Sequence, residues 1–220
     1  MIHKAQREDF PHIEHRADFC VTGGGPAGMC AAIAAARHGA RVVLIQDRPV
    51  LGGNTSSEVR MWIRGAHGKG MRECSILEEL ALENQYRNPT LNFSIWDSVL
   101  YGAVSAEDNI TLLLNCSVLD AQAGDGRVVS VTGWQTTTQS YHTVYADIFA
   151  DCSGDSVLAP LTGAQWRMGR EASGEFGEGH APAQADKKTM GMSCLIQARQ
   201  TSRPVSYTRS EERRVGKECR

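Results

Sequence analysis

Residues 18–54 read DFCVTGGGPAGMCAAIAAARHGARVVLIQDRPVLGGN. The apolar run 19–22 is a strand, 27–38 is a helix of alanine and small apolar residues, and 41–45 is a second strand. Between the first strand and the helix lies the spacing Gly23-x-Gly25-x-x-Gly28. Each glycine has its own task. Gly23 allows the sharp turn out of the strand, Gly25 lets a pyrophosphate approach the backbone, and Gly28 lets the helix pack close to the strand. The helix, entered through Pro26 and Ala27, turns its free N–H groups and positive dipole end toward that charge. Proline is tolerated there because the first turn does not use its missing N–H. Asp47 stands near the position where a carboxylate accepts ribose hydroxyls. Strand, turn, helix, strand and acid in this order predict a dinucleotide-binding βαβ unit. A lone glycine turn would not.

A second glycine pair, Gly52-Gly53, follows the second strand. NAD domains rarely need it. In FAD enzymes with an N-terminal fingerprint it lets the chain pass close to the pyrophosphate and the ribityl arm, so the pair favours FAD. The segments GGGPAG, LIQDRPVLGGNTSSEVRMW, IRGAHG, FSIWDSVLY, LLLNCSVLDA, VTGWQTTTQ, ADCSGDS and MGMSCLIQAR resemble a bacterial FAD-dependent oxidoreductase family with a glutathione-reductase-type FAD domain. The resemblance is collinear from residue 18 to about 208. It implies an α/β fold: a Rossmann-like FAD-binding domain with a parallel sheet and an antiparallel β-meander, followed by the start of a substrate domain. It implies FAD as cofactor and a small organic or carbohydrate-related substrate that gives up a hydride.

The resemblance also extends the set of cofactor-binding candidates beyond the first turn. Gln46, Asp47 and Arg48 end the second strand, Gly52, Gly53 and Asn54 form the second loop, and Val118 matches the residue whose backbone bonds the adenine edge. Ser153, Gly154 and Asp155 form a small-residue turn that passes close to the dinucleotide; Asp155 either bonds the cofactor or caps the next helix. The broader FAD pattern carries Glu where this chain has Gln46, which accepts a ribose hydrogen bond without charge. Whether Gln46 or Asp47 touches the ribose stays open at this point. Arg60, Arg64 and His67, in the polar loop after the glycine pair, are candidates to bind an anionic substrate or tune the flavin, against a reading as ordinary solvated charges.

Composition narrows the classes. The chain has 220 residues, 41% apolar and 22% charged, with a formal net charge of −2. There is no basic field for nucleic acid, no apolar run long enough for a membrane helix, and no secretory signal in the polar first 16 residues. Seven cysteines show no CxxC spacing; Cys20, Cys30, Cys116 and Cys194 lie in apolar segments and read as buried, reduced thiols, which fits a cytoplasmic protein. The sequence assigns no catalytic residue and no metal site. The cofactor of a flavoenzyme carries the chemistry, which accounts for the missing triad or carboxylate pair. The competing functions are a non-catalytic FAD- or ADP-binding module and an NAD(P)-linked dehydrogenase.

The expected organisation is a leader over 1–17, an FAD-binding domain over 18–167, a loop and the beginning of a substrate domain over 168–208, and a non-native tail over 209–220. Within the domain, 72–87 reads as a helix with Ile76, Leu77, Leu80 and Leu82 inward. A second helix covers 93–106, with Trp96 and Tyr101 in the core. A third parallel strand covers 109–118, and antiparallel strands cover 118–123, 127–135 and 140–148, with Asp125-Gly126 as a hairpin turn. A further apolar strand leads into the turn at 153–155. The tail, RSEERRVGKECR, resembles translated sequencing-adaptor DNA. The expectation is therefore a C-terminally truncated chain, with the nucleotide half of the site complete, the substrate half missing and a sheet edge left open.

Overall fold

Val42–Ile45, VVLI, is buried at all four positions, as a central parallel strand must be when both faces are covered. In the computed structural model, which describes residues 6–65, 69–70, 74–190 and 200–205, this strand is β2. It lies between β1 (His12–Thr22) and β3 (Ile110–Leu113), parallel to both. On the other side β1 pairs in parallel with β6 (Ser140–Asp151), from His12 opposite Tyr141 to Thr22 opposite Asp151. β5 (Arg127–Gln135) and β4 (Cys116–Gly124) continue antiparallel, giving one sheet in the order β3-β2-β1-β6-β5-β4. The Rossmann-like parallel sheet and the β-meander are both present.

Two apolar layers cover the parallel strands. On one face the helices α1 (Pro26–Arg37), α2 (Ser75–Arg87) and α3 (Phe93–Ser105) bury Met29, Ile33, Leu80, Trp96 and Leu100 against Val21, Val42 and Leu44. A second cluster joins Cys20, Val43 and Ile45 of the parallel strands to Cys116, Val131 and Val144 of the meander. The meander replaces the helix of a simple Rossmann crossover. The cluster also takes in Leu158 of the short α4 (Leu158–Thr162).

Several expectations are corrected. The leader does not end at residue 17, because β1 begins at His12. His15 turns toward the meander, and its Nε2 lies 2.8 Å from His142 Nδ1. The strand expected over 109–118 is two strands. The chain turns at Asn115, whose φ of +52° is a left-handed conformation that asparagine tolerates. Gln46 bonds both sides of this turn, giving its N–H to Leu113 O and accepting from Cys116 N–H. Residues 140–151 are one strand rather than two, since no turn signal interrupts them. Leu82 and Tyr101 are exposed, not core. The inward position one turn after Leu80 is Asn84, bonded to Asn88, which in turn receives the Asn92 N–H at the start of α3.

The chain divides into two compact units, Met1–Met168 and Gly169–Arg220. In the second, a bridge pairs Arg170 with Asp186, and their side chains form an ion pair. The short α5 (Ser173–Phe176) lies between them in sequence. Cys194 and the expected tail 209–220 lie outside the described residues.

Candidate functional site

β1 ends at Thr22, and two loops meet beyond it. Gly23 has φ +103°, and a Cβ there would stand 2.3 Å from Cys152 O; one on Gly28 would stand 1.9 Å from Gly23 O. These two glycines are therefore required by the fold itself, because the turn after β1, the turn after β6 and α1 interpenetrate. Gly25 is different. Its φ of −68° and ψ of 178° are ordinary extended values, open to any residue, and nothing lies within 4 Å of the Cβ it lacks. The fold makes no demand for glycine at this position. The space beside it is open at the N-terminus of a 12-residue helix. The first-turn N–H groups of Ala27 and Gly28 have no intrahelical acceptor, and Pro26 opens the turn. Across this space Gly53, at φ +52°, would set a Cβ 3.3 Å from Gly25 Cα. The two glycine loops thus form opposite walls of one cradle.

Hydrogen bonds tie these walls together. Gly24 N–H donates to Gln46 Oε1 at 2.6 Å, Gly52 N–H donates to Gly24 O at 2.8 Å, and Gln46 Nε2 donates to Val50 O at 3.1 Å. A Cβ on Gly24 would meet Leu51 Cδ2 at 2.6 Å. Gly24, the unassigned "x" of the first spacing, is thus hemmed in by the Leu51 side chain, unlike Gly25 next to it. Leu51, Val50 and Gly24 went unmarked in the sequence because the spacing rule ignores them.

Next to the cradle a cleft of about 150 Å³ is lined by Thr22, Gly23, Asp47, Cys116, Ser117, Val118, Ser153, Asp155 and Val157, among others. Five of the sequence candidates, Gly23, Asp47, Val118, Ser153 and Asp155, therefore share one cleft. Asp47 and Asp155 are exposed there. Their carboxylates suit hydroxyl donors and repel phosphate, which the helix N-terminus across the turn attracts. Asp155 does not cap α4. That role belongs to Asp151, whose Oδ2 accepts the Leu158 N–H at 2.7 Å while its Oδ1 accepts the Ser153 hydroxyl at 2.6 Å. Gly154 takes φ +83° in this turn. Burial pushes the Cys116 thiol up to about 12, so it is neutral rather than a nucleophile.

Other candidates stand apart from the cleft. Arg48 pairs with Glu58 at 3.3 Å, and Asn54 accepts the Met61 N–H through its backbone. Arg60, at φ +64°, donates from Nε to Ser57 O. Arg64 is exposed, and His67 lies outside the described residues. The segment after the glycine pair is held by α3, where Trp96 Nε1 donates to Thr55 Oγ1 at 3.0 Å and Asp97 accepts the Ser57 N–H at 2.9 Å.

A family model described as FAD dependent oxidoreductase matches residues 18–217. The chain belongs to that family. Its cofactor is FAD, and the open cradle at Gly25 with the carboxylate-lined cleft beside it fits a pyrophosphate next to a ribose. Soluble pyridine nucleotide transhydrogenase of Marinobacter nauticus is 51% identical over 41 residues, 19% of this chain and 9% of that protein. Sarcosine oxidase subunit alpha of Corynebacterium sp. strain U-96 is 34% identical over 91 residues, 40% of this chain and again 9% of the relative. The matched stretches thus span about a tenth of these relatives' length. Among solved structures, glycerol-3-phosphate dehydrogenase from Bacillus halodurans complexed with FAD gives a TM-score of 0.46 at 17% identity, covering 66% of this chain and 36% of that one. L-proline dehydrogenase from P. horikoshii gives 0.42 at 18%, covering 70% and 24%. Among the described residues no helix is long and apolar enough to cross a membrane.

Proposed function

We propose that this chain is the nucleotide-binding part of a cytoplasmic flavoenzyme that takes a hydride from a small organic substrate, carbohydrate-related in the reading the sequence resemblance gives. The observation that carries the proposal is the void at Gly25, a position where the protein itself needs no glycine. The cradle of Gly25, Ala27, Gly28 and Gly53 holds the pyrophosphate against the positive end of α1. Asp47 accepts the ribose hydroxyls, Val118 offers its backbone to the adenine edge, and the turn at Ser153, Gly154 and Asp155 lines the approach. When bound, FAD supplies the two-electron acceptor. The residues named here bind and orient it.

The purified 220-residue chain titrated with FAD, and separately with NAD, tests the proposal. Saturable flavin binding, with the protein turning yellow, is the expected result. Colourless protein that takes up NAD would overturn it. Anaerobic bleaching of the yellow protein by a substrate separates an oxidoreductase from a domain that only holds the nucleotide.

A further inference from the structure

We propose that Gln46 is a positioning residue whose uncharged amide locks the two glycine loops into one cradle, and that this use of Gln46 leaves the ribose to Asp47. The proposal rests on the FAD reading above. Gln46 is 3% exposed, and both ends of its amide are engaged inward: Oε1 with Gly24 N–H at 2.6 Å and Nε2 with Val50 O at 3.1 Å. The clamp closes through Gly52 N–H on Gly24 O at 2.8 Å. Gly24 is therefore held on its N–H by Gln46 and on its carbonyl by Gly52, both from the chain that follows β2. An amide donates and accepts at the same time, whereas an ionised carboxylate only accepts. Glutamate at 46 would turn a charged oxygen toward the Val50 carbonyl in a buried setting, which is costly. Successive residues at a strand end point to opposite sides: Gln46 faces the Gly24 turn, and Asp47 faces the cleft. The carboxylate has moved one residue along the chain to a place where it is wet and meets hydroxyls.

The test compares the 220-residue chain with its Gln46→Glu and Asp47→Asn variants at pH 8 and pH 5.5, reading amide hydrogen exchange at Gly52 without FAD, and FAD affinity. In Gln46→Glu at pH 8 the Gly52 amide exchanges faster than in the native chain, and FAD binds about tenfold more weakly. Both differences shrink at pH 5.5, where a protonated acid again donates to Val50 O. Asp47→Asn leaves Gly52 exchange at the native rate and weakens FAD at both pH values. Gln46→Glu that binds FAD as tightly as the native chain at pH 8, with native Gly52 exchange, overturns the proposal. Should Gln46→Glu not fold, Gln46→Met takes its place. Faster Gly52 exchange at both pH values supports the clamp, and native exchange sinks it. If no chain binds FAD, the flavoenzyme reading fails, while Gly52 exchange still decides the clamp.

Discussion

Gly23 and Cys152 meet backbone to backbone: Cys152 N–H donates to Thr22 O at 2.7 Å, and a Cβ on Gly23 would stand 2.3 Å from Cys152 O. The turns that end β1 and β6 are one packed unit. Gly23→Ala combines this clash with φ +103° and should lower stability by at least about 1–3 kcal/mol. Gly102→Ala, inside α3 with nothing within 4 Å of its Cβ, should raise stability by about 0.5–1 kcal/mol. Urea denaturation midpoints of the two variants, moving in opposite directions, check this.

The histidine pair sets a pH dependence. His15 Nε2 lies 2.8 Å from His142 Nδ1, and His142 Nε2 lies 3.0 Å from Ser140 Oγ. Burial lowers the pKa of both below the ordinary 6.5, and for His142 the neighbouring His15 lowers it further. The unfolded chain therefore binds protons first as pH falls. The stability these groups contribute is complete above about 6.5 and is lost progressively below it. Asp18 and Asp186, each held down to about 2 by an arginine partner, lose their contribution only in more acidic solution. Denaturation between pH 8 and 5 should show a decline that His142→Gln reduces and that replacing both histidines with glutamine largely removes.

Thiol chemistry follows burial. Burial pushes Cys20 and Cys116 up to about 12, whereas Cys74 is exposed. At pH 8, alkylation followed by peptide mapping should label Cys74 at least about a thousandfold faster than Cys20 or Cys116. Addition of denaturant should abolish the difference.

Two neighbouring carboxylates should separate stability from binding. Asp151 holds Ser153 and the first turn of α4, so Asp151→Ala should cost about 1–2 kcal/mol of stability. Asp155 lines the cleft without capping, so Asp155→Ala should change stability by no more than about 0.5 kcal/mol while weakening FAD binding. Thermal melts and FAD titrations of both variants distinguish the two effects.

The βαβ unit was legible because each of its signals is local: an apolar strand, spaced glycines, Pro26 at the helix start and a second apolar strand. What escaped depended on partners distant in sequence. The stretch HIEHRA looked like a polar leader, yet His15 is satisfied by His142 across the sheet. Gly24 received no role because Leu51, which hems it in, arrives from the next loop. For Asp155 the sequence left a cap and a cofactor contact open; the cap falls to Asp151, which reaches Leu158 N–H from the strand end. Leu82, read as inward, is exposed, and Asn84 takes the inward position because the asparagines of α2 and the α3 start bond one another inside. In the candidate site, the glycine turn was readable from spacing, with Gln46 and Asp47 left as alternatives for the ribose. The inward turn of Gln46 was not, since it depends on where the Val50 carbonyl lies.

Gly25→Asp tests the central claim most directly. Aspartate is a favoured helix N-cap and complements the helix dipole, and the Gly25 backbone and its open surroundings accept a side chain. The same carboxylate would occupy the cradle and repel a pyrophosphate. Melting temperature and FAD affinity measured on one preparation should diverge, with native or higher stability and FAD binding weakened by at least about a hundredfold. A Gly25→Asp chain that binds FAD like the native protein would contradict the assignment of this cradle to the flavin nucleotide.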